Sequence, residues 1–268
     1  MIQNRFFRSS VFLCLALLAP LAAGDAQSAS ADAQRQVAAL VDEFKHEVTQ
    51  RAVDDAHAKE LLERLAAQFA VAGTRERGVI VRGLEKGLSA KEKGQPDSDV
   101  VCLTARALAA MAPESLPALE RAAENRSLLK DKEIGRTLVL ALGKTRDKSV
   151  VKTLLDFLDS SDDGLVAAAC EALGEYDSAP LVLRKQLFGE VLKSLMEAKD
   201  QKESQAQPTL DPNAVHDDAA QRRYDAIQAA CGTTLERLSK QDSREADLWQ
   251  RWWNKNKRAD WDDKSKLS

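Results

Sequence analysis

The chain is poor in the residues that build strands, bind metals or hold small disulfide folds together. Aromatic residues occupy 5% of its 268 positions, and sheets draw on aromatic and β-branched side chains. The three histidines, His46, His57 and His216, form no His-Glu-x-x-His and no pair at i, i+4, so the spacing that brings two imidazoles to one metal is missing. Cys14, Cys102, Cys170 and Cys231 contain no Cys-x-x-Cys, and only three would remain in a chain cut after residue 24, which argues against a disulfide framework, a zinc ribbon or a covalent haem site. Charge nearly cancels, with 39 basic against 42 acidic residues, and lacks the basic excess that nucleic acid or an anionic membrane selects. There is no Gly-x-Ser-x-Gly and no glycine-rich phosphate loop, and Gly78, Gly83 and Gly87 are wrongly spaced for a dinucleotide fingerprint. We therefore expect no catalytic residues, no cofactor and no metal, and a protein that works by binding.

What is present favours helices. Ala, Leu, Glu, Lys, Arg and Asp dominate, and with 44% hydrophobic content a chain of this length can bury one sizeable core. The first segment is different. Arg5 and Arg8 precede an uncharged apolar run, Val11 to Ala23, broken only by Pro20. That layout predicts a signal peptide over 1–24. Thirteen residues reach only about two thirds of a roughly 30 Å hydrocarbon core, which disfavours a spanning helix. Small residues predict a cut before Asp25, with a second position before Asp32, and Cys14 lies inside the run where a lipid-attachment cysteine would not be. Removal leaves 37 basic and 42 acidic residues. The expected location is the periplasm or cell envelope, without stable membrane insertion after cleavage.

Residues 25–97 predict an opening helical region: helices over Ala33–Arg51, Asp55–Ala72 and Thr74–Leu88, then a polar break at Lys91–Asp97. Glycines 78, 83 and 87 should let a neighbouring helix come close. Over 98–198 a pattern returns every 31 residues, anchored on Met111, Leu142 and Leu173. Leu108, Val139 and Cys170 stand three positions earlier, and Leu103, Ile134 and Leu165 eight earlier, offsets that share a helical face. Ala112, Gly143 and Gly174 follow, and glycine there predicts a left-handed helix stop. Partner helices are expected over Glu114–Asn125, Asp147–Ser160 and Ala179–Asp200, with Asp147 and Asp162 opening helices. A two-helix unit of this size cannot bury its apolar face alone, so units must stack. The stretch 199–216 is polar and predicts an exposed loop. A degenerate copy with Ala230, Cys231, Leu235 and Leu238 follows in 217–257, and 258–268 reads as a polar tail. Cys170 and Cys231 fall on the inner face, as small apolar filler.

The triplets Ala141-Leu142-Gly143 and Ala172-Leu173-Gly174, preceded by Asp131-x-x-Ile134 and Asp162-x-x-Leu165, resemble the short HEAT-like repeats of bacterial proteins. The resemblance covers about Ser98 to Ala198 and implies an all-α fold, a right-handed α/α superhelix with a protein partner on its concave face. One feature departs from the pattern. Gly135 and Val166 stand where an arginine usually follows the apolar residue, which removes the usual Asp/Arg ladder. The closing segment Leu235 to Trp253 is similar to those of secreted bacterial HEAT-repeat proteins of unassigned function, and related repeats in bilin lyases supply an enzymatic alternative.

Trp249, Trp252 and Trp253, spaced i, i+3, i+4, share a face and with Trp261 are the candidate interaction residues. Tryptophans can anchor an interface or stack on sugar rings, which makes a glycan-binding module a second alternative. They can equally seal the open end of a stack. Trp261, alone in polar sequence, is the one expected to be exposed.

Overall fold

The structure, a computed structural model, describes residues 21–50, 55–205, 218–242, 244–263 and 265. Most of the apolar leader, and the stretch 206–217 with His216, lie outside the described residues. Twelve α-helices account for nearly all of what is described. They form an all-α solenoid, as expected.

Helix α1 (Leu21–Val48) passes through both positions where a cut is expected. It buries Val37, Leu40, Val41, Phe44 and Val48, one stripe at helical spacing. Against it pack α2 (Asp55–Val71) and α3 (Thr74–Leu84). The expected third helix stops four residues early, and Gly87–Ser89 forms a 3-10 turn. Two of its three glycines do mark close approach. A Cβ on Gly83 would lie 2.5 Å from Val41 Cγ1, and one on Gly87 would collide with Thr104 and Phe44, whereas Gly78 faces only Arg82. The polar break is a small hairpin: β1 (Lys91–Glu92) pairs antiparallel with β2 (Gln95–Pro96), and Lys93 and Gly94 turn with positive φ.

Next come α4 (Ser98–Ala109), α5 (Leu116–Ala123), α6 (Arg126–Leu129), α7 (Lys132–Thr145), α8 (Val151–Leu158), α9 (Asp163–Leu173), α10 (Leu181–Gln205), α11 (Ala219–Ser239) and α12 (Ala246–Asn256). Helices α4, α7, α9 and α11 stack side by side as one layer, and α2 covers its front edge at α4. The second layer sits across the joints, with α5 packed on α7, α8 on α9 and α10 on α11. Each second-layer helix therefore packs more on the next unit than on its own, which couples neighbouring units more strongly than a row of separate hairpins would.

Asp97, Asp131 and Asp162 open α4, α7 and α9 as N-caps, each accepting backbone N–H groups of the first turn. These caps correct the register. They are 34 and 31 residues apart, so the residue equivalent to Leu142 and Leu173 is Leu108, not Met111, and Ala107, Ala141 and Ala172 align beside them. The extra residues lie where α6 joins α5 to Asp131. A slip of three residues returns to nearly the same helical face, which is why Met111, itself buried in the turn after α4, satisfies the 31-residue pattern.

The glycines after those leucines have another role than the expected one. Gly143 lies inside α7 and Gly174 has ordinary right-handed geometry, while Arg146 takes the left-handed cap of α7. Gly143 is needed because Ala172 of α9 lies directly against it, whereas a Cβ on Gly174 would come no closer than 3.1 Å, to Thr234 Oγ1 of α11. The polar stretch is also shorter than expected. Residues 199–205 continue α10, where Lys199 bonds Glu203 one turn on and Asp247 of α12 at 2.8 Å.

Candidate functional site

Aligned on the caps, the units show which positions of the layer α4–α7–α9 are committed to the core. Val100, Ile134 and Leu165 are buried, as are Val101, Gly135 and Val166, and Leu108, Leu142 and Leu173. Beside them run outward positions: Asp99, Glu133 and Gly164 are exposed, and two turns further on Arg106 is exposed while Leu140 and Glu171 are half-buried, Leu140 partly packed on the core. Core positions repeat in character, whereas the outward ones change from acid to glycine and from arginine to leucine to glutamate. Arg136 of α7 reaches Glu171 of α9 at 2.7 Å across this side. Arg223 of α11 reaches Asp163 at 2.7 Å. Half-exposed pairs of this kind contribute about 0–1 kcal/mol each and mainly fix neighbouring side chains.

The missing arginines have a plain cause. Both positions are buried, Val166 fully, and a Cβ at 135 would lie 3.0 Å from Leu165 Cδ2, so a long charged side chain at either place would point into the packed layer. The aspartates that would have paired with them cap helices instead. Ser98 adds a bond at 2.7 Å to Asp131, and this bond, with the backbone N–H groups of Ile134 and Glu133, holds the Asp131 carboxyl below its usual range.

Charge converges at one place that no motif signals. Glu175, 9% exposed, follows α9 and receives Lys144 at 2.9 Å and Arg146 at 3.1 Å from α7 and Arg237 at 3.3 Å from α11. Burial pushes its pKa up, but the three donors outweigh burial and hold it at about 2. One carboxylate thus ties together three successive helices of the layer. Tyr176 beside it donates to Asp147 O at 2.7 Å.

The tryptophans gather, but not as a surface. Phe188 of α10 is their centre, with the rings of Trp249, Trp252, Trp253 and Trp261 at 5.6, 5.5, 5.2 and 5.2 Å. Trp249 is 0%, Trp252 5% and Trp261 1% exposed, and Trp253 alone keeps a partly open face. The expected exposure of Trp261 is therefore incorrect. Its Nε1 donates to Asn256 O at 2.9 Å. The tail folds back over α10, where Lys185 donates to Ala259 O at 2.6 Å. Beside this cluster Arg184, 1% exposed, donates to Ala179 O, Leu238 O and both carboxylate oxygens of Asp262. A buried guanidinium needs such partners. The segment read as a polar tail thus completes the core of the last unit.

The histidines have separate partners: His46 lies 2.9 Å from Gln50, and His57 lies 3.5 Å from Glu43. Among the described residues no group of three or more His, Cys, Asp or Glu side chains is placed to hold a metal ion, and no helix is long and apolar enough to cross a membrane. An open groove of about 420 Å³ runs between α1 and α2 past Gln36, Leu40, Glu43, Arg64 and Gln68. A smaller one, about 100 Å³, lies between α8 and α10.

Residues 86–174 match the family model of HEAT repeats. Over this stretch the chain is similar to HEAT repeats, and the match ends at Gly174, where the period stops. HEAT repeats generally serve as non-enzymatic scaffolds for protein interaction. No curated protein and no solved structure matches the chain.

Proposed function

We propose that this protein is an exported, non-enzymatic scaffold of the periplasm or cell envelope that holds a protein partner along the outward side of the α4–α7–α9–α11 layer. One observation carries the reading. Core positions repeat from unit to unit while Asp99, Glu133 and Gly164, and Arg106, Leu140 and Glu171, do not. A wall built this way can be matched to one partner without disturbing the stack behind it. Stacking on glycans would need open indole faces, and three of the four tryptophans lie inside the aromatic core. Export rests on the apolar leader and its flanking arginines.

The test places a photo-crosslinking amino acid at Leu140, on the layer, and at Val182, which is 82% exposed on α10. In cells that make the protein, a discrete adduct is expected from position 140 and not from 182. Equal labelling from both, or none from 140, would overturn the scaffold reading. The mass of the purified protein tests export separately: a chain that retains residues 1–24 contradicts it.

A further inference from the structure

Cys170 and Cys231 lie 61 positions apart in sequence, on α9 and α11, with both side chains fully buried. Their sulfur atoms are 3.0 Å apart, about 1 Å more than the roughly 2.05 Å of a disulfide bond. The backbones are close as well. Thr234, one turn after Cys231, donates to Cys170 O at 2.6 Å, and a Cβ on Gly174, one turn after Cys170, would lie 3.1 Å from Thr234 Oγ1 and 3.7 Å from Thr234 Cα. The two helices are thus in close contact over the turn that carries both cysteines. Cys102 is buried elsewhere, on α4.

We propose that Cys170 and Cys231 are a disulfide site that clamps α11 to α9 when the chain folds in the presence of a disulfide oxidant. The thiolate of one cysteine attacks the oxidant, forming a mixed disulfide and releasing one thiol. The second cysteine's thiolate then attacks the protein sulfur of that mixed disulfide, closing the Cys170–Cys231 bond and releasing a second thiol. The protein loses two protons and two electrons, and the oxidant is reduced to two thiols. Timing follows from burial. In the folded molecule the hydrogen bond to Cys231 and burial hold the Cys170 thiol well above its ordinary pKa, so it is unreactive there. The bond forms while α11 is docking and both sulfurs still meet solvent.

The site suits its place in the chain. The segment between the two cysteines contains α10 and the polar stretch 206–217, and it interrupts the repeat just where α11 must find α9. A bond between the two helices holds the last member of the layer across that interruption. An export compartment would supply the oxidant, but the site depends only on the packing of α9 and α11 and stands if the scaffold reading fails.

The full chain, unfolded in urea, is refolded by dilution into glutathione disulfide or into reduced glutathione, and circular dichroism confirms regained helicity. Free thiols are alkylated before proteolysis and mass spectrometry. With the oxidant, a linked peptide pair joining Cys170 to Cys231 is expected, with Cys102 alkylated, and the pair is absent from the reduced sample and from Cys231→Ser. Helical protein whose Cys170 and Cys231 are both alkylated after oxidative refolding would overturn the proposal. So would linkage of either one to Cys102, or loss of helicity only in the oxidised sample, since the bond would then be incompatible with the native packing.

Discussion

Replacing Gly143 by alanine adds one methyl group where α7 and α9 come closest. A Cβ at that position lies 2.5 Å from the Cβ, 2.6 Å from the Cα and 2.8 Å from the carbonyl oxygen of Ala172. None of these atoms can swing away, because all belong to a backbone or to a one-carbon side chain. Ordinary contact begins near 3.4 Å, so the helices must part by about 1 Å along a packed interface. Overpacking of this kind costs about 1–3 kcal/mol. Alanine's higher helix propensity offsets about 1 kcal/mol of that, which leaves a net loss of up to about 2 kcal/mol. Gly232 is the internal control. It too lies inside a helix, α11, but a Cβ there meets nothing within 4 Å, so Gly232→Ala should gain about 0.4–1 kcal/mol. Urea unfolding followed by far-ultraviolet circular dichroism should therefore move the two midpoints in opposite directions. In a stacked array the weakened joint should also broaden the transition of Gly143→Ala, since the units on either side lose coupling. A Gly143→Ala midpoint at or above that of the parent would refute the close approach of α7 and α9.

Glu175 gives a pH signature. Its folded pKa of about 2 lies below its ordinary 4.5, so its contribution to stability is complete above about pH 4.5 and is lost as pH falls toward 2. The difference corresponds to at most about 3 kcal/mol. Glu175→Gln should be less stable at pH 7 and should show a flatter decline over pH 4.5 to 2, and a parent and variant that decline in parallel would contradict the charge hub. Acrylamide should quench only a minority of the tryptophan emission, and Trp253→Phe should remove most of that accessible part. Full quenching of the parent would mean that the aromatic cluster is open.

The layer was legible because its signals are local. Asp131 and Asp162 announce caps within three residues of the apolar positions they precede, and Leu142 and Leu173 repeat with their flanking alanines. The first unit was misread by one turn because helical periodicity cannot distinguish Leu108 from Met111, whereas the cap at Asp97 can. What escaped the sequence depends on partners far along the chain. Trp261 looks solitary until Phe188 is placed beside it, and Asp262 looks like a solvated acid until Arg184 is found buried. Lys199 extends a helix into polar sequence because Asp247 lies beside it. Glu175 belongs to no motif, since its three cations come from two other helices. The approach of Cys170 to Cys231 is of the same kind. Their repeat positions place both in the core, but only the stacking of α11 on α9 shows that they meet.

The completion of α10 by residues from the far end has a consequence for how the chain is made. Synthesis delivers the protein from its N-terminal end, and segments fold as their partners emerge. The helices from α1 to α8 find their neighbours within a few tens of residues. Phe188 and Arg184 do not, because Trp261 and Asp262 are added more than 70 residues later. Until then the Arg184 guanidinium lacks its carboxylate and the Phe188 ring part of its aromatic cover. A growing chain is therefore firm at its front and softer behind, and the unit around α10 sets only once Trp261 and Asp262 have emerged.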